Sequence, residues 1–189
     1  MGSKHEGKIF IVSAPSGCGK TTLCKKLLKD RLNLRYSISA TTRPPRKGEI
    51  DGKDYFFISP GEFRAMIKRK ELLEHERNFG FLYGTPKKLV SGLLEKGKNV
   101  LLSIDVKGAT KVSRQYPDRS VLIFIMPPTL SELKKRLESR RTDEASSISN
   151  RLKIAKREME YKGKYDYVVV NDSLDAAHKK LKKIIMKER

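Results

Sequence analysis

The short run Lys8-Ile9-Phe10-Ile11-Val12-Ser13 passes directly into Ala14-Pro15-Ser16-Gly17-Cys18-Gly19-Lys20-Thr21 and then into a helical stretch, Thr21 to Asp30. No other feature constrains the fold as tightly. An apolar, β-branched segment of this length suits a strand covered on both faces. A glycine-rich loop between such a strand and a helix lets successive backbone N–H groups curl around a polyphosphate, with the helix N-terminus adding partial positive charge. Gly17 and Gly19 permit the close approach. Lys20 would neutralise the β and γ phosphates of a nucleoside triphosphate, and the Thr21 hydroxyl would be a Mg²⁺ ligand. Ala14 to Thr21, with Thr22 after them, form the predicted nucleoside-triphosphate-binding loop. Ala14 replaces the first glycine of the usual pattern and is small enough for the tight turn.

The same buried-strand pattern recurs at Asn99 to Ile104, Ser120 to Met126 and Tyr165 to Val170. Helical stretches at Lys87 to Lys96, Lys107 to Tyr116 and Leu130 to Arg140 separate these strands or follow them, which predicts an α/β fold with a central parallel sheet flanked by helices. Two stretches depart from the alternation. Residues 36–85 contain short alternating segments, Tyr36 to Ser39 and Tyr55 to Ile58, around the turn-rich Arg43-Pro44-Pro45-Arg46-Lys47-Gly48, and read as an inserted subdomain. Residues 128–164 are highly charged and hold an amphipathic helix with Ile148, Leu152, Ala155 and Met159 on one face, as a mobile lid would. The core is then 1–35, 86–127 and 165–189, closed by a helix from Leu174 to Glu188, and the whole chain of 189 residues is one domain.

A net charge of +20 points to polyanionic partners. The basic residues are spread along the chain, so much of the excess reads as solvated helix faces. Stacking aromatics in a basic strand and other nucleic-acid recognition motifs are lacking. Cys18 and Cys24 have neither metal-ligand nor redox spacing and suit a reducing cytoplasm. The apolar runs are too short to span a membrane, and the polar start has no signal-peptide core. The reading is a cytoplasmic protein with no membrane or nucleic-acid partner; its oligomeric state is left open.

Arg43 and Arg46 could hold an acceptor's phosphate through bidentate guanidinium contacts, or could belong to a solvated basic loop; only the nearby phosphate loop favours the first.

These residues resemble a guanylate kinase along nearly the whole chain. The resemblance rests on residues 13–20, on Ser39-Ala40-Thr41-Thr42-Arg43-Pro44-Pro45-Arg46-Lys47-Gly48-Glu49, and on Gly52-Lys53-Asp54-Tyr55-Phe56-Phe57. Leu73-Glu74-His75, Tyr83-Gly84-Thr85, Ile104-Asp105 with Gly108, the stretch Lys135 to Arg140 and Val170-Asn171-Asp172 follow in order. It implies a P-loop NTPase three-layer fold in which residues 36–85 bind a nucleoside monophosphate. It also implies transfer of the γ-phosphoryl group of ATP to GMP, with Mg²⁺ required and dGMP as a further acceptor to test. By resemblance, Arg43, Arg46, Tyr55 and Tyr83 hold the GMP phosphate, and Ser39, Glu74, Thr85 and Asp105 read the guanine. Arg136, Arg140 and Arg151 align with lid arginines that, with Lys20 and Arg43, act on the transferred group. Asn171 aligns with a residue near the adenine edge. Ser103 stands where the family has the first of two acidic residues, so metal positioning would rely on Thr21 and water. Arg141 stands where the lid commonly has glycine, and Leu82 replaces the first of two tyrosines. Two other readings remain: a kinase of the same fold for a different phosphorylated acceptor, and a non-catalytic scaffold, which the intact Gly19-Lys20-Thr21 disfavours.

Overall fold

A computed structural model describes residues 7–30, 32–78, 80–139 and 145–188, the last of these from 148 onward for side chains. The first elements are β1 (Ile9–Ser13), α1 (Lys20–Leu27), β2 (Leu34–Tyr36), β3 (Ala40–Thr41), β4 (Phe56–Phe57) and α2 (Pro60–Lys68). Next come β5 (Leu72–Asn78), β6 (Phe81–Pro86), α3 (Lys87–Glu95), β7 (Asn99–Ser103), α4 (Val106–Gln115) and β8 (Ser120–Met126). The remainder is α5 (Leu130–Glu138), α6 (Ala145–Met159), a 3₁₀ turn at Glu160–Lys164, β9 (Tyr167–Val170) and α7 (Leu174–Glu188).

Every residue of β1 is buried because the strand lies at the centre of a five-stranded sheet ordered β2-β7-β1-β8-β9. All its strand pairs are parallel, with Ile11 opposite Leu102 on one side and Leu122 on the other. The two-residue period of a strand sorts β1 between two cores. Phe10 and Val12 pack with Leu23, Leu27, Leu133, Leu181 and Ile185 from α1, α5 and α7. Ile9 and Ile11 pack with Val90, Leu94, Ala109 and Val112 from α3 and α4. This is the expected three-layer architecture. Ala155 of α6 is fully buried against the first core, with Ile148 and Leu152 partly buried beside it, so the amphipathic helix of the predicted lid packs by the face read from its sequence. Among the described residues, no helix is long and apolar enough to cross a membrane.

A second sheet, ordered β4-β3-β6-β5, is built from residues 40–86. Its β5–β6 hairpin is antiparallel and places Glu74 opposite Thr85, Glu76 opposite Tyr83 and Asn78 opposite Phe81. Helix α2 begins at a Ser59 cap that accepts from the Glu62 N–H, and it buries Phe63 completely.

Two local readings are corrected. Tyr36 to Ser39 is not one strand of the insertion: Leu34 is buried in the main core and β2 pairs with β7, so the chain leaves the first sheet after Tyr36 and enters the second at Ala40. The element α2 and the strands β5 and β6 lie in a region where sequence periodicity had indicated only Tyr55 to Ile58.

Candidate functional site

Parallel strands deliver their carboxyl ends to one edge of a sheet. There the loop after β1 lies beside the end of β7, and the Lys20 Nζ donates to the Ile104 carbonyl at 3.1 Å. Burial lowers the Lys20 pKa, against the pull of nearby carboxylates including Asp105, Glu158 and Glu74. Gly19 precedes α1 with φ 82°, and a Cβ there would lie 2.6 Å from the Asn171 Nδ2, so both handedness and space require glycine. The Asn171 Nδ2 donates to the Cys18 carbonyl at 2.8 Å, and the Arg136 guanidinium donates to the Asn171 carbonyl at 2.9 Å and to Glu132 at 2.9 Å. Asn171 and Arg136 therefore brace the loop from behind. Cys18 and Cys24 are buried, and burial pushes the Cys24 thiol up to about 11, which keeps it protonated and unreactive near neutral pH.

On the second sheet, Glu74 is only 6% exposed and accepts from the Thr85 hydroxyl at 2.6 Å. Burial pushes its carboxyl up to about 7; the Thr85 bond opposes this and the Asp105 charge adds to it. Helix α4 closes over Glu74 at Gly108, where a Cβ would stand 2.6 Å from Oε2. Asp105 caps α4: its Oδ1 accepts from the Lys107 and Gly108 N–H groups at 3.0 and 2.8 Å, and its Oδ2 accepts from the Asn78 Nδ2 at 2.6 Å. Arg43 is buried, its guanidinium 5.5 Å from the Tyr55 ring centroid and 5.7 Å from that of Phe57. It donates to the Pro44 carbonyl at 2.7 Å and to Glu49 at 2.9 Å. Glu49 also accepts from the Arg46 N–H at 2.8 Å, so one carboxylate shapes the arginine loop. The Tyr55 and Tyr83 rings meet edge to face, 6.1 Å between centroids.

The two halves open onto one cavity of about 410 Å³, within the range for small-molecule sites. Residues 14–22 line one wall; Ser39, Arg46, Tyr55, Glu74, Tyr83 and Asp105 line the other; Arg151 and Glu158 of α6 reach in from above. Arg43, Thr85, Arg136 and Asn171 do not line the cavity itself; Thr85 and Asn171 are hydrogen-bonded to lining residues, Glu74 and Cys18. Arg140 and Arg141 lie outside the described residues. Sequence reasoning passed over Asn78 and Glu158. The signal for Glu158 was available, since it follows three residues after Ala155 on the buried face of α6. Burial pushes its carboxyl up to about 7, opposed by Lys20 and by the Ser16 backbone N–H.

The chain's residues fit a metal that arrives with its substrate. Among the described residues, no group of three His, Cys, Asp or Glu side chains could enclose an ion. The Thr21 hydroxyl stands exposed in the cleft next to Lys20. One hydroxyl beside a phosphate cradle suits Mg²⁺, which keeps several waters and binds through substrate phosphates.

The family model for guanylate kinase matches residues 6–188. A guanylate kinase from Caldanaerobacter subterraneus subsp. tengcongensis is 46% identical over 189 residues, covering 100% of this chain and 91% of that one. A second, from Halalkalibacterium halodurans, is 45% identical over 185 residues, 98% of this chain and 90% of the relative. The crystal structure of guanylate kinase from Anaplasma phagocytophilum matches with a TM-score of 0.82 at 36% identity, covering 97% of this chain and 87% of that one.

Proposed function

The chain belongs to the guanylate kinase family of nucleoside monophosphate kinases, and from that premise we propose that it transfers the γ-phosphoryl group of ATP to GMP, yielding ADP and GDP. One observation carries this reading: the phosphate loop and the buried Glu74 face the same cavity, so donor and acceptor can meet without crossing the fold.

Phosphoryl transfer asks the protein mainly for alignment and charge neutralisation. The loop N–H groups and Lys20 hold the donor phosphates, while Asn171 and Arg136 keep the loop in shape. Thr21 is the residue that would hold Mg²⁺, which when bound would supply positive charge to offset the negative charge of the donor phosphates. We assign the GMP phosphate to Arg43, Arg46, Tyr55 and Tyr83. Arg43 is already stacked and hydrogen-bonded, so little guanidinium freedom is lost on binding. We assign the guanine to Ser39, Glu74, Thr85 and Asp105. The Thr85 hydroxyl engages the Glu74 Oε1, and the carboxylate can accept the N1–H and N2–H₂ donors that adenine lacks at those positions. The segment 36–85 is the acceptor-binding insertion. The segment 128–164 is the lid, bringing Arg151 and Arg140 onto the phosphates and excluding water as it closes. In-line attack by the GMP phosphate oxygen needs no general base.

A coupled assay with GMP, AMP, UMP and CMP tests this. A site built on buried hydrogen-bonding groups rejects a base lacking the matching donors by roughly 10³-fold or more. Comparable rates with all four would overturn the guanine-specific reading.

A further inference from the structure

Along β5, alternate residues point to one face, and Glu74, Glu76 and Asn78 all line the cavity. Asn78 stands at the far end of that row, beside the end of β7. There it meets Asp105, whose carboxylate is already half committed. The Oδ1 is occupied by two N–H groups at the start of α4, at 3.0 and 2.8 Å, leaving Oδ2 as the oxygen able to serve a ligand. The Asn78 Nδ2 donates to that Oδ2 at 2.6 Å. A carboxylate oxygen accepts along two lone-pair directions, so a fixed donor on one leaves the other with a defined aim. A carboxamide does this without adding charge beside Glu74 and Glu76. Replacing it with an apolar residue would free the carboxylate to turn toward water.

We propose that Asn78 is a positioning residue for base selection, locking Asp105 so that its Oδ2 meets the exocyclic 2-amino group of the acceptor purine. The inference rests on the proposed assignment of Asp105 to the base. The ligand chemistry is specific: GMP carries that amino group and IMP, the hypoxanthine nucleotide, lacks it. Asn78 therefore contributes to the preference for GMP over IMP and does so through Asp105.

Steady-state kinetics with GMP and IMP on the full chain, the single variants Asn78→Leu and Asp105→Asn, and the double variant form the test. Asparagine at 105 keeps the helix cap while presenting a donor where the amino group needs an acceptor. Asn78→Leu is expected to raise the KM for GMP about tenfold, in line with one hydrogen bond to a charged group, with kcat within about twofold and the KM for IMP unchanged. The double variant should match Asp105→Asn alone, because residues acting through one contact are not additive. Equal losses for GMP and IMP, or no loss, in Asn78→Leu would overturn the proposal. If Asp105→Asn also left the GMP-to-IMP ratio unchanged, the assignment of Asp105 to the base would fail with it; a change in Asp105→Asn alone would sink only the role of Asn78. Should Asn78→Leu not fold, Asn78→Ser supplies the same comparison with a side chain too short to reach Oδ2.

Discussion

Glu74 gives the acceptor site a proton linkage that can be measured directly. Its carboxyl is held at about 7 by burial, so close to a tenth of it is ionised at pH 6 and about nine-tenths at pH 8. Guanine offers N–H donors, which only the carboxylate can accept at both oxygens. Binding GMP therefore pulls the pKa down and releases a proton. The sign follows: affinity is fully present above about 7 and is lost as pH falls through that value. One pKa unit is worth ~1.4 kcal/mol, so the Kd for GMP is expected to rise about tenfold between pH 8 and pH 6. Proton release from Glu74 should grow from ~0.1 per GMP at pH 8 to ~0.9 at pH 6. The acceptor's own phosphate titrates with a second pKa near roughly 6, and Glu74→Gln separates the two. That variant keeps an oxygen for the Thr85 hydroxyl but turns an amide toward the guanine donors. It should bind GMP ~2 kcal/mol more weakly than the native protein at pH 8 and approach it at low pH, retaining only the phosphate's share of the dependence. Titration calorimetry in buffers of different ionisation enthalpy reads both Kd and proton count. A native Kd that follows the Glu74→Gln profile at every pH, with equal proton release, would refute the placement of this carboxylate against the base.

Three further substitutions probe the cleft at other points. Gly108→Ala places a methyl 2.6 Å from the Glu74 Oε2 while removing a glycine from a helix, a change that favours helices by about 1 kcal/mol; GMP affinity should fall at least tenfold with an unchanged or raised Tm, and a variant that keeps its GMP affinity would show that Glu74 moves freely. Lys20→Ala should reduce phosphoryl transfer by roughly 10²-fold or more, measured by single turnover, and unchanged turnover would contradict the enzymatic reading. Glu158→Gln removes an anion facing Lys20 and the Ser16 N–H, so ADP and pyrophosphate should bind several-fold more tightly at pH 8 by fluorescence or calorimetry, whereas weaker binding would mean that Glu158 assists the donor.

The parallel sheet was legible because burial on both faces writes itself as uninterrupted apolar runs, as in β1, β7 and β8, and β9 carries a short run of its own although Val168 and Val170 are exposed at the sheet edge. The strand β2 carries no such signature: three residues long, with Arg35 exposed between Leu34 and Tyr36, it has too few positions to show a period. The strand β5 hides for the opposite reason. Within Leu-Leu-Glu-His-Glu-Arg-Asn, Glu74, Glu76, Arg77 and Asn78 line the cavity, so the alternation that marks a half-buried strand is masked by ligand-facing polar residues. Function has replaced the solvent-and-core contrast on which sequence patterns depend.

The same distinction decides which site residues could be found. Gly17, Gly19, Lys20 and Thr21 act within one turn of chain, and local spacing is enough to assign them. Glu74 reaches its meaning only through Thr85, eleven residues on, and through Gly108, which makes room for it from another element. Asn171 braces a loop 153 residues away in sequence, and Asn78 meets Asp105 across 27. Resemblance named Glu74 and Asn171 as site residues but could not say that one is held protonatable near neutrality or that the other serves the loop's backbone. Those properties arise from burial and from partners brought together by the sheet, and they make the acceptor half the more sensitive to single substitutions. A loop of backbone N–H groups survives most side-chain changes, whereas a buried carboxylate with one hydroxyl donor and a glycine wall has no spare contact to lose.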